Sequence, residues 1–336
     1  MYWYGVVIVT NWQNYRRYAW FVVAYMIFVI LWGAVVRAMG AGAGCGNHWP
    51  ACNGQVIPRA ESIETLIEFS HRLTSAFAGV LVMVMLGWAY RLKPRKTKTG
   101  DSRSALRFLR LMAVMTFIFI LIEGGIGAAL VRLELVENNA STLRAVMIAI
   151  HLANTLLLLL FNVLTAWVAN QDEVRFKASV PKVAAMGIAL IGFMLMSSAG
   201  AVTALGDTLF LSGALHQVTD NPYDHFLIQL RVYHPVLAVM VSVYLFGFGY
   251  YLFNRHSSSR IHDRTQQMIT LIGIQLAVGV LNIFLQAPIW MQILHLFLAD
   301  ALWVVLILLS AEIFTMAEQP SDLPTTISEP LPAVGD

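Results

Sequence analysis

The chain has 336 residues, of which 58% are hydrophobic and only 12% charged, about half the charged share of an ordinary globular domain. That balance argues against a soluble fold and supplies apolar residues for eight membrane spans of about 20 residues each. The formal charge of +3 is spread over loops and gathers on no single surface, so nucleic acid is not an expected partner, whereas membrane lipid is.

Taken in chain order, the apolar runs predict helices near 18–37, 66–90, 109–131, 144–168, 183–205, 229–252, 267–286 and 289–314. The fold class is therefore all-α, a polytopic membrane protein. The first run follows Arg16 and Arg17 and is too long for a signal-peptide core, so no cleaved leader is expected. It ends in Gly33-Ala34-Val35-Val36-Arg37. A glycine-rich loop, Gly40 to Gly54, then carries the chain's two cysteines, Cys45 and Cys52. A disulfide closing a tight loop is the natural reading on an oxidising side of a membrane, with a bracing or a redox role open. A metal site with His48 is a weaker alternative, because four ligands are not in sight.

The second run holds Glu68, His71 and Arg72 close together. Glu68 and His71 are three residues apart and share a helix face. Glu68 and Arg72 stand at i,i+4, so a plain helix ion pair competes with an acid–base or electrostatic role for Glu68. The loop after this run carries eight basic residues between Arg91 and Arg110, which topology alone explains. The third run contains Gly124-Gly125-Ile126-Gly127-Ala128-Ala129. The fourth has Arg144 two turns before His151. The fifth ends in Ala199-Gly200-Ala201-Val202, the sixth has Arg231 three residues before His234, the seventh has Gly273 and Gly279, and the eighth has Gln292 three residues before His295. His216, His225, His256 and His262 read as solvent-facing loop residues. The segment from Glu318 to Asp336 has four prolines and no aromatic residue, which predicts a disordered tail.

Sixteen basic residues fall on the loops at one end of the predicted spans and six on the other. The positive-inside rule then puts both termini in the cytoplasm. His71, His151, His234 and His295 each lie near the start of an even-numbered run, so all four fall at similar depth toward the outer face. Ionisable side chains are expensive there. Four imidazoles in one layer, without a cysteine cluster, suit axial ligation of haem iron. Arg72, Arg144 and Arg231 are placed either to pair with haem propionates or to snorkel to the headgroups.

The pattern also repeats. Residues 1–170 and 180–315 each contain four runs and two of these histidines, with 318–336 as tail. Because each half crosses an even number of times, the halves form a parallel repeat of two four-helix bundles, with two ligand sites. The small-residue stretches on the odd runs let helices approach closely and leave room for a flat macrocycle.

Together, Gly33 to Arg37, the loop Gly44-Cys45…His48-Trp49-Pro50…Cys52-Asn53-Gly54, and Glu68-Phe69-Ser70-His71-Arg72 resemble the haem A synthase family of cytochrome oxidase assembly. The resemblance runs from about residue 15 to 315. One departure is Asn47-His48, where that family commonly has Pro-Asp. The resemblance implies oxidation of the C8 methyl of haem O to a formyl group. It assigns His71 and His151 to the substrate haem O, His234 and His295 to a resident haem b, and Glu68 to the catalytic acid position. It places Cys45 and Cys52 over the substrate, in a bacterial cytoplasmic membrane. A haem O synthase is the implied partner, beside an electron partner of unknown identity and an open oligomeric state. Two other functions compete: a di-haem electron-transfer cytochrome, for which Glu68 has no use, and a haem carrier that leaves its cargo unchanged.

Overall fold

The computed structural model describes residues 11–59, 62–97, 100–177, 179–211 and 225–315. The predicted tail and His216 lie outside the described residues. Among the described residues, eight helices are long and apolar enough to cross a membrane: α1 Trp12–Ala38, α2 Ile63–Arg91, α3 Arg103–Arg132, α4 Thr142–Val168, α5 Val180–Gly206, α6 Phe226–Arg255, α7 Ser259–Phe284 and α8 Ile289–Thr315. A π turn, Asp207–Leu211, continues α5, and a 3-10 turn, Leu230–Val232, interrupts the start of α6. A short antiparallel hairpin, β1 Lys96–Thr97 with β2 Gly100–Asp101, joins α2 to α3.

Most helices begin before their apolar runs, with polar first turns whose free N–H groups are in several cases satisfied by capping side chains. The Asn11 side chain accepts from Gln13 N at 2.8 Å, and the Ser62 and Ser141 hydroxyls accept from Thr65 N and Arg144 N at 3.2 Å each. The largest shift is in α7, which starts at Ser259 rather than near 267. His262 is therefore a helical residue, not a loop one, and its ring stacks on Phe253 at 4.9 Å. His225 is likewise no free loop residue: it caps α6 and packs against Phe210 at 4.4 Å. His256 stays in the α6–α7 connection, half-buried.

Consecutive helices pack against one another throughout. In addition α1 meets α4, and α5 meets α8, while α4 touches α5 and α8, and α1 touches α8. The centre is thus α4 and α8. Packing is uneven along the helices. At the end carrying the basic loops, Tyr15, Val82, Leu159, Val163, Leu306 and Leu309 are fully buried in one apolar core. Trp303 ties three helices there, donating Nε1–H to Leu156 O at 2.9 Å and stacking on Phe193 at 5.2 Å. Toward the other end the side chains draw apart around a cavity. The outward faces carry exposed apolar residues such as Leu121, Ile191, Met240 and Phe284, a surface suited to lipid.

Candidate functional site

His71, His151, His234 and His295 stand 8, 9, 8 and 6 residues beyond the first residues of α2, α4, α6 and α8. At a rise of 1.5 Å per residue that is about 9–14 Å below the helix starts. All four line a single cavity of about 1760 Å³. Ordinary small-molecule pockets reach about 1,000 Å³, so this space is large enough for more than one bulky ligand.

Glycines set three of the rings. A β-carbon at Gly33 would stand 3.0 Å from His71 Cε1, one at Gly200 would stand 2.8 Å from His234 Cε1, and one at Gly279 would stand 3.2 Å from His295 Cε1. Each of these odd helices thus gives up a side chain where an imidazole of its neighbour lies across it. Gly124, Gly125 and Gly127 line the cavity and a β-carbon on any of them meets nothing within 4 Å, so they open the wall instead.

In the C-terminal half the His234 and His295 rings lie with centroids 6.3 Å apart and planes at 86°. A metal bound at about 2.0 Å lies about 3.1 Å from an imidazole centroid, so two axial rings on one metal sit about 6.2 Å apart. The pair fits bis-histidine ligation. His234 Nδ1 lies 3.1 Å from Met196 O, which leaves Nε2 as the free nitrogen when Nδ1 is protonated. Gln275 on α7 donates to His295 O at 3.1 Å and lies 3.3 Å from its Nε2. The Nδ1 atoms of His71, His151 and His295 are buried and make no hydrogen bond. Among the described residues no cluster of three His, Cys, Asp or Glu could hold a bare metal ion.

The Cys45–Cys52 disulfide is formed, which removes both thiolates from any metal site with His48. Its loop is strapped onto α2. Thr65 Oγ1 donates to Gly44 O at 2.7 Å, and any side chain at Gly44 would collide with the α2 backbone at Glu64. Glu68 is 3% exposed; its Oε2 accepts from Cys45 N at 2.8 Å and its Oε1 from Arg72 Nε at 3.0 Å. Arg72 in turn donates to His48 O at 2.7 Å and Ala51 O at 2.8 Å. The i,i+4 pair is therefore real, and it also anchors the loop. Both residues line the cavity.

Arg144 and Arg231 line the same cavity but already have partners. Arg144 donates to Glu137 O at 2.6 Å and Asn139 O at 2.8 Å, with its Nε buried and unused. Arg231 Nε lies 2.6 Å from Asp207 Oδ1. Two further polar residues had no role in the sequence reading. Arg37, at the end of α1, donates to Ala204 O at 2.7 Å, Thr208 Oγ1 at 2.8 Å and Gln292 Oε1 at 3.0 Å, joining α1 to α5 and α8. Glu123, within α3, lies 3.5 Å from His151 Nδ1. An acid inside an apolar run is itself a signal, but its pairing with a histidine on another helix is not visible in spacing.

Comparison with known proteins gives the family. A Thermus thermophilus protein named protoheme IX farnesyltransferase is 40% identical over 303 residues, covering 89% of this chain and 48% of that protein. The chain therefore spans about half the length of that relative. A heme A synthase of Bacillus mycoides is 27% identical over 294 residues, covering 84% of this chain and 87% of that protein. A heme A synthase of Bacillus cereus is 28% identical over 288 residues, with the same coverage of 84% and 87%. The COX15-CtaA family, described as cytochrome oxidase assembly protein, matches residues 16–307, and the chain belongs to that family of haem A synthase relatives.

Proposed function

We propose that the protein is a haem A synthase that oxidises the C8 methyl of haem O to a formyl group. The observation that carries the reading is Glu68, buried at the cavity wall one turn from His71 in a cavity that also holds a second histidine pair. His71 and His151 hold the substrate, and His234 and His295 hold a resident haem b. When bound, haem b supplies one-electron transfer. The division into two parallel four-helix halves is supported by the closing contacts of α1 with α4 and of α5 with α8.

Oxidation of a benzylic-like methyl passes through electron-deficient carbon, which a fixed carboxylate stabilises. Glu68 meets that need because the Cys45 N–H and Arg72 orient it. Arg72 and the loop residues Trp49 and Pro50 line the same cavity as the N-terminal pair. Arg144 and Arg231 lie within the cavity wall as propionate partners, Arg144 through its unused Nε. With the basic loops cytoplasmic, both termini face the cytoplasm and the site opens toward the outer face of a bacterial inner membrane. The naming of the longer Thermus relative for farnesyl transfer to protohaem supports a partner of that chemistry, which would supply the substrate.

The test is co-expression with a haem O synthase in a host lacking haem A, followed by chromatography and mass analysis of extracted haems. Haem A or its hydroxylated precursor is expected, and Glu68→Gln should abolish both. Unchanged haem O in a folded, haem-loaded sample would overturn the reading in favour of a carrier or an electron-transfer cytochrome.

A further inference from the structure

Glu123 sits in the middle of α3, in Leu121-Ile122-Glu123-Gly124-Gly125, and it lines the cavity. Nothing in the proposed chemistry uses it, yet an acid in a span is retained at a cost. Its partners all come from one face of α4. Asn154 donates Nδ2–H to Oε2 at 2.6 Å, and the Thr155 hydroxyl donates to Oε1. Asn154 is itself fixed by donating to Phe119 O at 3.1 Å. These residues stand three and four positions after His151, so the three side chains form one cradle around the carboxylate. Held at both oxygens, the carboxylate presents Oε1 to His151 Nδ1 at 3.5 Å. That nitrogen is buried and makes no hydrogen bond.

The C-terminal half handles the equivalent place differently. Gln275 stands four residues before Gly279 on α7, as Glu123 stands four before Gly127 on α3, and each contacts the histidine of the following helix. His234 Nδ1 faces a main-chain carbonyl. The C-terminal imidazoles thus meet neutral groups, while His151 meets a carboxylate. A neutral amide would also accept from Thr155, so holding α4 in place does not require the charge.

We infer that Glu123 is a positioning residue for His151: it orients the imidazole from its Nδ1 side and strengthens it as a ligand for the iron of the N-terminal haem. The inference rests on the haem reading proposed above. A carboxylate beyond a ligating histidine fixes the tautomer and the ring plane and raises the ligand's basicity. With a haem bound there, the more basic ligand would favour the ferric state and lower that site's potential relative to the same site with a neutral residue at position 123.

The decisive comparison is wild type against Glu123→Gln in the purified, haem-loaded protein, by spectroelectrochemical titration and low-temperature EPR. A His234→Ala background, lacking the C-terminal haem, assigns the potentials. Glu123→Gln keeps an acceptor for Thr155 but turns an amide N–H toward Asn154, so melting temperature and haem content are measured on the same samples. The N-terminal potential should move upward and its low-spin g values should change, with the C-terminal haem unaffected; Glu123→Asp should restore part of the shift. Identical potentials and g values, with both sites loaded, would overturn the inference and leave Glu123 as a tether for Asn154 and Thr155. A wild-type N-terminal site that takes up no haem would overturn the haem reading itself, and this inference with it.

Discussion

Gly200 on α5 lies directly against His234 on α6, so close that a β-carbon at the glycine would come within 2.8 Å of the ring. The ring is held against the same helix by the Met196 carbonyl, one turn before Gly200 and 3.1 Å from Nδ1, so a methyl group at position 200 pushes at the anchored edge. Gly200→Ala should therefore displace the imidazole and cost the C-terminal haem, read as a loss of about half the bound haem in a pyridine haemochrome assay. Gly273→Ala is the control. A β-carbon there meets nothing within 4 Å and lies outside the cavity lining, so haem content should hold and helix stability should rise by up to about 1 kcal/mol.

Glu68→Gln preserves an oxygen for the Cys45 N–H but removes the charge. Loop order and haem content should survive, and turnover should fall by about 10²–10⁴-fold, the range for losing a positioned acid or base. The measurement is product haem per protein, alongside the absorption spectrum. A variant that turns over normally would reduce Glu68 to the loop anchor seen in its bonds to Cys45 and Arg72.

Removing the bridge by Cys45→Ser with Cys52→Ser opens a loop closed across a separation of seven residues. Chain entropy puts the loss at about 2.5 kcal/mol. The effect should stay local, because the loop is held by α2 side chains rather than by the apolar core. Hydrogen exchange should quicken at the Cys45 amide, which Glu68 protects, while α8 amides near Trp303 stay slow.

Arg37 makes three charge-assisted hydrogen bonds across helices, each worth about 1.5–3 kcal/mol. Arg37→Ala should lower stability by about 3 kcal/mol or more and loosen α1 from α5 and α8 at the cavity end. Arg37→Lys should recover only part, since an ammonium cannot span Thr208 and Gln292 as the guanidinium fork does. Detergent melting curves with and without bound haem would measure both.

The helices and the four histidines were legible because each depends on local pattern: apolar runs of spanning length, and a histidine at matching depth in every second run. Glu68 with Arg72 was legible for the same reason, as an i,i+4 pair. What spacing could not show were meetings between distant segments. The Cys45 amide reaches Glu68 only because Gly44 lets the loop lie on α2, and Glu123 reaches His151 only because α3 packs beside α4. Helix starts were misplaced where a polar first turn precedes the apolar stretch, as in α7 from Ser259 to Arg264, and that error put His262 in a loop it does not occupy.

Trp303 marks a level at which the molecule changes character. Below it the helices interlock through Phe193, Leu156 and their neighbours, and the protein is complete as a polypeptide. Above it the helices are held apart around the cavity, joined by polar contacts such as Arg37 to Gln292 and Arg231 to Asp207 and by a small apolar cluster of Leu205, Phe210 and Leu227. The contacts of the base are made by protein alone, so they do not depend on what fills the cavity, and a change in its contents need not disturb the packing around Trp303.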